Sequence, residues 1–530
     1  MTDPWAVVDE HERQATASDR RRRGAWYTPR EVVSILVGLT LSGLDTDPSF
    51  VVDPSCGGGA FLLGTLDALV SRGLAPREAL TRVGGIDIEP SAIAAARSAI
   101  GLWCEGRGLP ASDSECVALF VGDALLGRPE GWPDPDVVIG NPPFASPLRG
   151  GAFPEGVDAL RKARSELLGP YADLAALHLL RAVELCAAGG RVCLVLPQSL
   201  LAGRDTAGLR SWLDECAPPI AVWASATDRF AASVKVWAPV LGVGADRDRV
   251  HRRGSIGART VGAAPWAELA AEALGVPAVV LNPRHRGGPR AEPVAVLGSI
   301  ARATAGFRDE YYGIAAVCRE EVCCEEVCCE EVESSEVMRI VTSGSLDPLQ
   351  CRWGARPTTF AKRRWQRPVA RRADFDGALA RWVDQQRRPK LVLPTQSRLF
   401  EPVIDPDGSL LPVTPVLAVH CDQESLGLVA AVLLAPPIVA WAQRKWFGAA
   451  LSIDALKLAA SDLAQLPLPV DADDLWHEAA TLALSIDSFE LEQGRRRVVL
   501  DRVATLMTQA YGAGPEVLGW WRARLPPANR

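Results

Sequence analysis

The residues with the most chemistry to offer lie in Val137-Val138-Ile139-Gly140-Asn141-Pro142-Pro143-Phe144. The apolar run reads as the end of a buried strand. A side-chain amide, two prolines and an aromatic ring follow. Each proline locks its own φ and biases the residue before it toward extended backbone. The product is either a plain strand followed by a proline turn or a rigid spur presenting an amide oxygen, free carbonyls and a ring face. The second arrangement suits a flat, amino-bearing ring such as adenine, with acceptors for the amino hydrogens and a surface for stacking.

Upstream, three carboxylates stand at comparable places. Phe50-Val51-Val52 ends on Asp53 and runs into Pro54-Ser55-Cys56-Gly57-Gly58-Gly59-Ala60-Phe61, a strand, glycine turn and helix. Glycines there let a ligand approach the backbone and the helix N-terminus. About thirty residues on, Val83-Gly84-Gly85-Ile86-Asp87 ends a second strand on an acid that could accept both hydroxyls of a ribose. A third strand, Val117 to Val121, leads to Gly122-Asp123-Ala124, where Asp123 could accept from an exocyclic amino group. In an open parallel α/β sheet the C-terminal strand ends share one crevice. Asp53, Asp87, Asp123 and Asn141 in series therefore predict a single ligand site.

The elements that must position them follow from periodicity. Residues 1–23 are polar and charged, an N-terminal arm or surface helix. Thr28 is placed to N-cap a helix beginning at Pro29, whose apolar face is Val32, Val33, Ile35, Leu36 and Leu39. Alternatively, Tyr27 and Thr28 are a lid that touches the ligand. Residues 145 to about 170 read as a loop beside the site. Tyr171-Ala172-Asp173-Leu174 opens a long helix, and Val192 to Leu196 is a fifth strand. Phe230, ahead of a last strand at Pro239 to Val243, is either core or a second stacking surface.

These residues resemble the N6-adenine DNA methyltransferases of the gamma arrangement. Tyr27-Thr28-Pro29 is similar to the family's N-terminal cofactor motif. Asp53 to Phe61 resembles its first cofactor motif, with Gly58 where Ser or Thr is commoner. Gly85-Ile86-Asp87-Ile88-Glu89-Pro90 resembles the ribose motif, Gly122-Asp123-Ala124-Leu125 the adenine motif, and Asn141-Pro142-Pro143-Phe144 the catalytic one, with Phe144 for the commoner Tyr. Order and spacing match over residues 24–245. The resemblance implies an α/β fold: a Rossmann-like S-adenosylmethionine-dependent methyltransferase sheet with helices on both faces, plus a mixed α+β C-terminal target-recognition domain. It implies S-adenosyl-L-methionine held by Tyr27, Thr28, Asp53, Pro54, Cys56, Gly57, Gly59, Asp87, Asp123 and Asn141. It implies catalysis by Asn141, Pro142 and Phe144, no metal, and a flipped adenine sandwiched by Phe230. Double-stranded DNA is the implied substrate, and a cognate restriction endonuclease or defence-system subunits are implied partners.

The expected domains are an arm at 1–23, a catalytic domain at 24–245, a target-recognition domain at 246–470 and a helical segment at 471–530. From Cys351 the chain is basic with interleaved aromatics. Arg352, Lys362, Arg363 and Arg364 are candidate DNA contacts, the alternative being a solvated surface over a tryptophan core. Residues 318–337 repeat Glu-Glu-Val-Cys-Cys with a period of five, which matches neither a helix face nor a strand face. An acidic loop or a thiol–carboxylate metal site would fit.

At 530 residues the chain exceeds one core. Its composition, 48% hydrophobic and 23% charged, is that of an ordinary globular protein. A net charge of −7 neither requires nor excludes nucleic acid, because a local patch decides binding. Of the thirteen cysteines, Cys318, Cys323, Cys324, Cys328 and Cys329 crowd into the repeat; the others lack paired metal-ligand spacing and read as buried reduced thiols. No apolar run is long enough for a bilayer and the N-terminus is no signal peptide, so a cytoplasmic protein without membrane contact is expected. Competing readings are methylation of RNA or of a protein glutamine, and a non-catalytic DNA-binding subunit of a defence complex.

Overall fold

In the computed structural model, residues 3–14, 28–42, 44, 46–145, 155–224, 236–245, 253–254, 266–273, 275–281, 295–306, 308–321, 336–446, 455–489 and 493–526 are described. Those up to Gly275 form one unit and those from Val276 a second.

In the first unit the short apolar runs become strands β1 (Val51–Asp53), β2 (Val83–Asp87), β3 (Ala118–Val121), β4 (Val137–Gly140), β5 (Arg191–Leu194), β6 (Leu196–Pro197), β7 (Pro219–Ala224), β8 (Val236–Gly242) and β9 (Arg253–Gly254). They join one sheet in the order β3-β2-β1-β4-β5-β8-β7-β9, with β6 on β8. Strands β1 to β5 pair in parallel, and β8 runs antiparallel between β5 and β7. Near-continuous burial along β1, β2 and β4 is what a parallel sheet covered on both faces requires.

The helices of this unit are α1 (Pro4–Gln14), α2 (Arg30–Leu41), α3 (Ala60–Ser71), α4 (Pro76–Thr81), α5 (Pro90–Glu105), α6 (Glu155–Ala163), α7 (Leu174–Leu185), α8 (Ser199–Ala202), α9 (Ala207–Cys216) and α10 (Trp266–Ala273). Within the expected N-terminal arm, α1 packs on α5 and buries Trp5 and Val8. Helix α2 buries Val32, Val33, Leu36 and Val37 and turns Ile35 outward. Part of the expected loop at 145–170 is helix α6.

Two expected boundaries move. Helix α10 belongs with the first unit, because Trp266 stacks edge-on against Trp237 at 5.5 Å and donates to Asp214, so that unit extends to Gly275 rather than 245. Residues 471–526 are not a separate segment. Helices Asp473–Leu484 and Gln493–Ala510 pack with Leu426–Leu434, a helix buried at all but Leu428, in one core of the second unit.

Facing that core is an antiparallel sheet in the order Arg302–Ala305, Val416–His420, Lys390–Pro394, Val403–Asp405. A second sheet holds Arg319–Glu320, Pro368–Arg371, Val337–Val341 and Leu410–Pro412. Among the described residues no single helix is long and apolar enough to cross a membrane. The bent apolar pair Gln423–Leu434 and Pro436–Trp446 lies in the second unit's core.

Candidate functional site

Strand order places β2, β1 and β4 side by side, so Asp87, Asp53 and Asn141 end adjacent strands. The turn after β1 is stitched to β2. Cys56 N–H donates to Ile86 O at 2.9 Å, and Gly57 N–H donates to Asp87 Oδ2 at 2.9 Å. The other oxygen of Asp87 accepts from Glu89 N–H at 2.9 Å, and Asp53 Oδ1 accepts from Ser55 N–H at 3.0 Å. Gly59, the residue before α3, has φ +93°, and a Cβ there would meet Ala96 Cα at 3.3 Å. Glycine is required at this point both for the left-handed backbone and for the approach of α5. A Cβ at Gly140 would meet Asp53 Oδ1 at 2.3 Å, so the carboxylate occupies the space beside the last residue of β4.

Asp53 and Asp87 interact in a poorly solvated site. Burial, opposed by the Ser55 N–H and reinforced by the charge of Asp87, pushes Asp53 up from 3.8 to about 8. Asp87 is raised as well, chiefly by burial. Two partly frustrated carboxylates of this kind favour a cationic ligand. Burial also drives the Cys56 thiol well above its ordinary range. Its sulfur packs where a Gly85 side chain would stand, and its backbone N–H and C=O are bonded to Ile86 O and Gly59 N–H. Pro54 is likewise buried.

Asn141 reaches across 113 positions of sequence to Thr28, donating from Nδ2 to Thr28 Oγ1 at 2.9 Å. The expected N-cap at Thr28 is therefore corrected. The residue before α2 is Pro29, no side chain caps the helix, and the Thr28 hydroxyl instead holds the Asn141 amide with Oδ1 as its acceptor edge. The spur is fixed at its far end too. Ala145 O accepts from Leu174 N–H at 2.8 Å, and the Asp173 carboxylate, the N-cap of α7, accepts from the N–H groups of Ala175 and Ala145. Burial, offset by those two donors, raises Asp173 to about 6. Phe144 is only 8% exposed, so the face expected to stack on a base is largely covered in this arrangement.

Asp123 follows β3, which β2 and β1 separate from β4, and is held in a local turn by Leu125 N–H. Around Asp87 and Asp123 four large apolar side chains are exposed: Ile88 (65%), Phe120 (44%), Val121 (45%) and Leu126 (60%). An exposed apolar cluster beside hydrogen-bond acceptors suits a planar heterocycle. Above the glycine turn sits α1. A side chain at Gly58 would meet Val8 Cα at 3.4 Å and His11 at 3.5 Å, and one at Gly57 would meet Glu12 Oε1 at 3.6 Å. A cavity of about 260 Å³ bordered by Pro54, Ala124, His178, Arg181 and Glu184 adjoins the site. Burial lowers His178 there to about 4, keeping it neutral.

Thr28, Asp53, Gly57, Asp87 and Asn141 thus come together, with Asp123 at the outer edge. Tyr27 and Phe230 lie outside the described residues, as do positions 322–335 of the acidic repeat. No group of three or more potential metal ligands occurs among the described residues. Asp173, the roof residues His11 and Glu12, and the apolar cluster escaped the sequence reading. Only Asp173 carried a signal, as an Asp before an apolar helix.

In the second unit the basic stretch divides. Arg352 is corrected as a ligand contact: its side chain is 11% exposed and paired with Asp347 at 2.5 Å, where Arg356 joins at 3.3 Å. Arg367 pairs with Glu321, and Arg372 with Asp384. Lys362, Arg363 and Arg364 are exposed.

Residues 12–213 match the family model of the N-6 DNA Methylases. The Type II methyltransferase M.PaeR7I of Pseudomonas aeruginosa is 28% identical over 223 residues, covering 39% of this chain and 38% of that protein. The chain thus spans well under half the length of this curated relative. The Type IIL restriction-modification enzyme MmeI, solved in complex with DNA, matches 99% of this chain and 81% of its own with a TM-score of 0.60 at 12% identity. A type I restriction-modification methyltransferase subunit from Streptococcus thermophilus matches 42% of this chain and 45% of its own, with a TM-score of 0.32 at 22% identity. At a TM-score of 0.60 and 12% identity, the likeness to MmeI is one of fold.

Proposed function

We propose that the protein is a site-specific DNA methyltransferase that moves a methyl group from S-adenosyl-L-methionine to the N6 amino group of adenine in duplex DNA, as part of a restriction-modification or defence system. The observation that carries this reading is the Asn141-Pro142-Pro143-Phe144 spur at the end of β4, tied to Thr28 and beside the Asp53–Asp87 glycine turn. The turn fits S-adenosylmethionine by its chemistry: a buried Asp53 and a partly buried Asp87, both with raised pKa, for a ligand bearing positive charge, and exposed Ile88, Phe120 and Leu126 for its adenine.

When bound, that cofactor supplies a methyl group on a positively charged sulfur. Asp87 would hold the ribose hydroxyls and Asp123 the adenine amino group, while Thr28 and the Gly57 turn enclose the rest. The adenine to be methylated is a poor nucleophile at N6, because its lone pair is delocalised into the ring. Asn141 Oδ1 and the Pro142 carbonyl would accept its two amino hydrogens and localise that pair on nitrogen. Both acceptors are preset by the prolines and by Thr28, so little reorganisation accompanies reaction. The target must leave the duplex to reach them, and Phe144 would then stack on it. Two of the implied contacts, Tyr27 and Phe230, keep the roles that the family resemblance suggests.

Incubation of the purified protein with labelled cofactor and, separately, duplex DNA, RNA and protein tests the substrate class. Label is expected on duplex DNA alone. Asn141→Ala should lower transfer by about a thousandfold, the upper range for one catalytic hydrogen-bonding group, with cofactor binding retained. Label on RNA or glutamine would replace this reading with one of its rivals.

A further inference from the structure

The basic stretch of the second unit contains one element built differently from its surroundings. Thr358–Phe360 and Arg363–Trp365 pair antiparallel, Phe360 opposite Arg363, so the hairpin turns in two residues. Those residues, Ala361 and Lys362, have φ of +52° and +61°. A two-residue turn with both φ values positive matches the twist of the strands but favours Asn or Gly. Neither stands here, and each non-glycine residue in this region carries a strain cost.

The base of the hairpin holds the strained tip in place. Phe360 and Trp365 are 2% and 6% exposed in a core shared with Met338 and Ile340. Trp365 Nε1 donates to Phe360 O at 3.0 Å. Ala361 N–H donates to the Tyr311 hydroxyl at 3.1 Å, and Tyr311 stacks edge-on against Phe360 at 5.0 Å. Beside it Tyr312 is 58% exposed.

The tip carries Lys362, Arg363 and Arg364, three consecutive exposed cations. None makes an ion pair with a described residue. The Arg363 guanidinium lies 4.8 Å from the Trp365 ring centre, which fixes its direction without neutralising it. Arg352, Arg356, Arg367 and Arg372 nearby are all committed to carboxylates. A rigid projection with three unneutralised cations beside an exposed tyrosine matches the requirements of a polyphosphate backbone.

We propose that the hairpin Thr358–Trp365 is a preformed finger that contacts duplex DNA, with Lys362, Arg363 and Arg364 on its phosphates. This rests on the DNA reading above and adds to it which part of the second unit binds.

The test is the salt dependence of binding to a 30-base-pair random duplex, with cofactor binding measured alongside. Replacing all three cations by alanine should weaken Kd about 10- to 100-fold at low salt and reduce the log–log salt slope by about 2.7, near 0.9 per phosphate lost. Cofactor affinity should not change. Lys362→Gly suits the positive φ and so preserves the fold; it should reduce the slope by about 0.9 with Tm unchanged or higher. Wild-type affinity and slope in both variants would overturn the finger while leaving methylation, and its dependence on Asn141, intact. A wild-type protein that binds RNA or protein but no duplex would overturn the finger and the DNA reading together.

Discussion

At the residue scale, the site is governed by charges held in the wrong solvent for themselves. Asp53 is pushed up from 3.8 to about 8 mainly by burial. An acid whose folded-state pKa lies above its unfolded value contributes stability that is complete below the unfolded pKa and is lost as pH rises toward the folded one. Between about pH 4 and pH 8 the free protein should therefore lose stability relative to Asp53→Asn, by up to about 1.4 kcal/mol per pH unit. Thermal melts of both proteins across this window measure it. A cationic ligand favours the ionised carboxylate, so S-adenosylmethionine should raise Tm more at pH 8 than at pH 5 in the wild type. Parallel pH profiles for the two proteins would remove Asp53 from this role. The four strand-end residues Asp53, Asp87, Asp123 and Asn141 were legible in the sequence because each follows a short apolar run. The Thr28–Asn141 bond was not, since local reading gives Thr28 a nearer partner, its own helix, and only the fold brings Asn141 to it.

At the element scale, helix α7 is as much a part of the spur as β4 is. Asp173 receives Ala145 N–H and Ala175 N–H at once, and Leu174 N–H returns to Ala145 O. The helix N-terminus and the residue after Phe144 are locked by three hydrogen bonds. Asp173→Ala should misplace Phe144 and lower kcat by roughly 100-fold, the scale set by a displacement of about 1 Å, with little change in cofactor Kd. Single-turnover rates and cofactor titration separate the two. Equal losses in both would mean that Asp173 serves the cofactor turn instead. The sequence marked the start of α7 but neither its cap at Asp173 nor this clamp, because no local pattern specifies that Ala145 is the partner of that carboxylate. The same limit applies to Arg352. Its identity and neighbours suggested a phosphate contact, while its burial against Asp347 depends on how the chain folds back.

At the scale of the whole molecule, two units have separate cores, and the second contains a fully buried ion pair. Lys390 and Asp405, 0% and 1% exposed as side chains, are bonded to each other. Lys390 also donates to Gln386 O, and Asp405 accepts from the N–H groups of Ser409 and Leu410. Burial lowers the Lys390 pKa, with Asp405 opposing that shift. Removing one partner leaves the other charge buried, so Lys390→Ala should destabilise the second unit by about 3–5 kcal/mol. Denaturant unfolding should show that loss; a change below about 1 kcal/mol would mean that water reaches Asp405. The parallel sheet was readable from strand spacing. The assignment of Trp266 to the first unit and of residues 471–526 to the second was not, because both depend on packing partners far away in sequence.

The most direct measurement of the central claim is the identity of the methylated atom. Duplex DNA treated with the protein and labelled S-adenosylmethionine is digested to nucleosides, and the label is located by chromatography and mass. N6-methyldeoxyadenosine from the wild type, and about a thousandfold less from Asn141→Ala at equal times, is the result expected. Label on cytosine, or full labelling of adenine by Asn141→Ala, would contradict the assignment of Asn141-Pro142-Pro143-Phe144 as the catalytic spur.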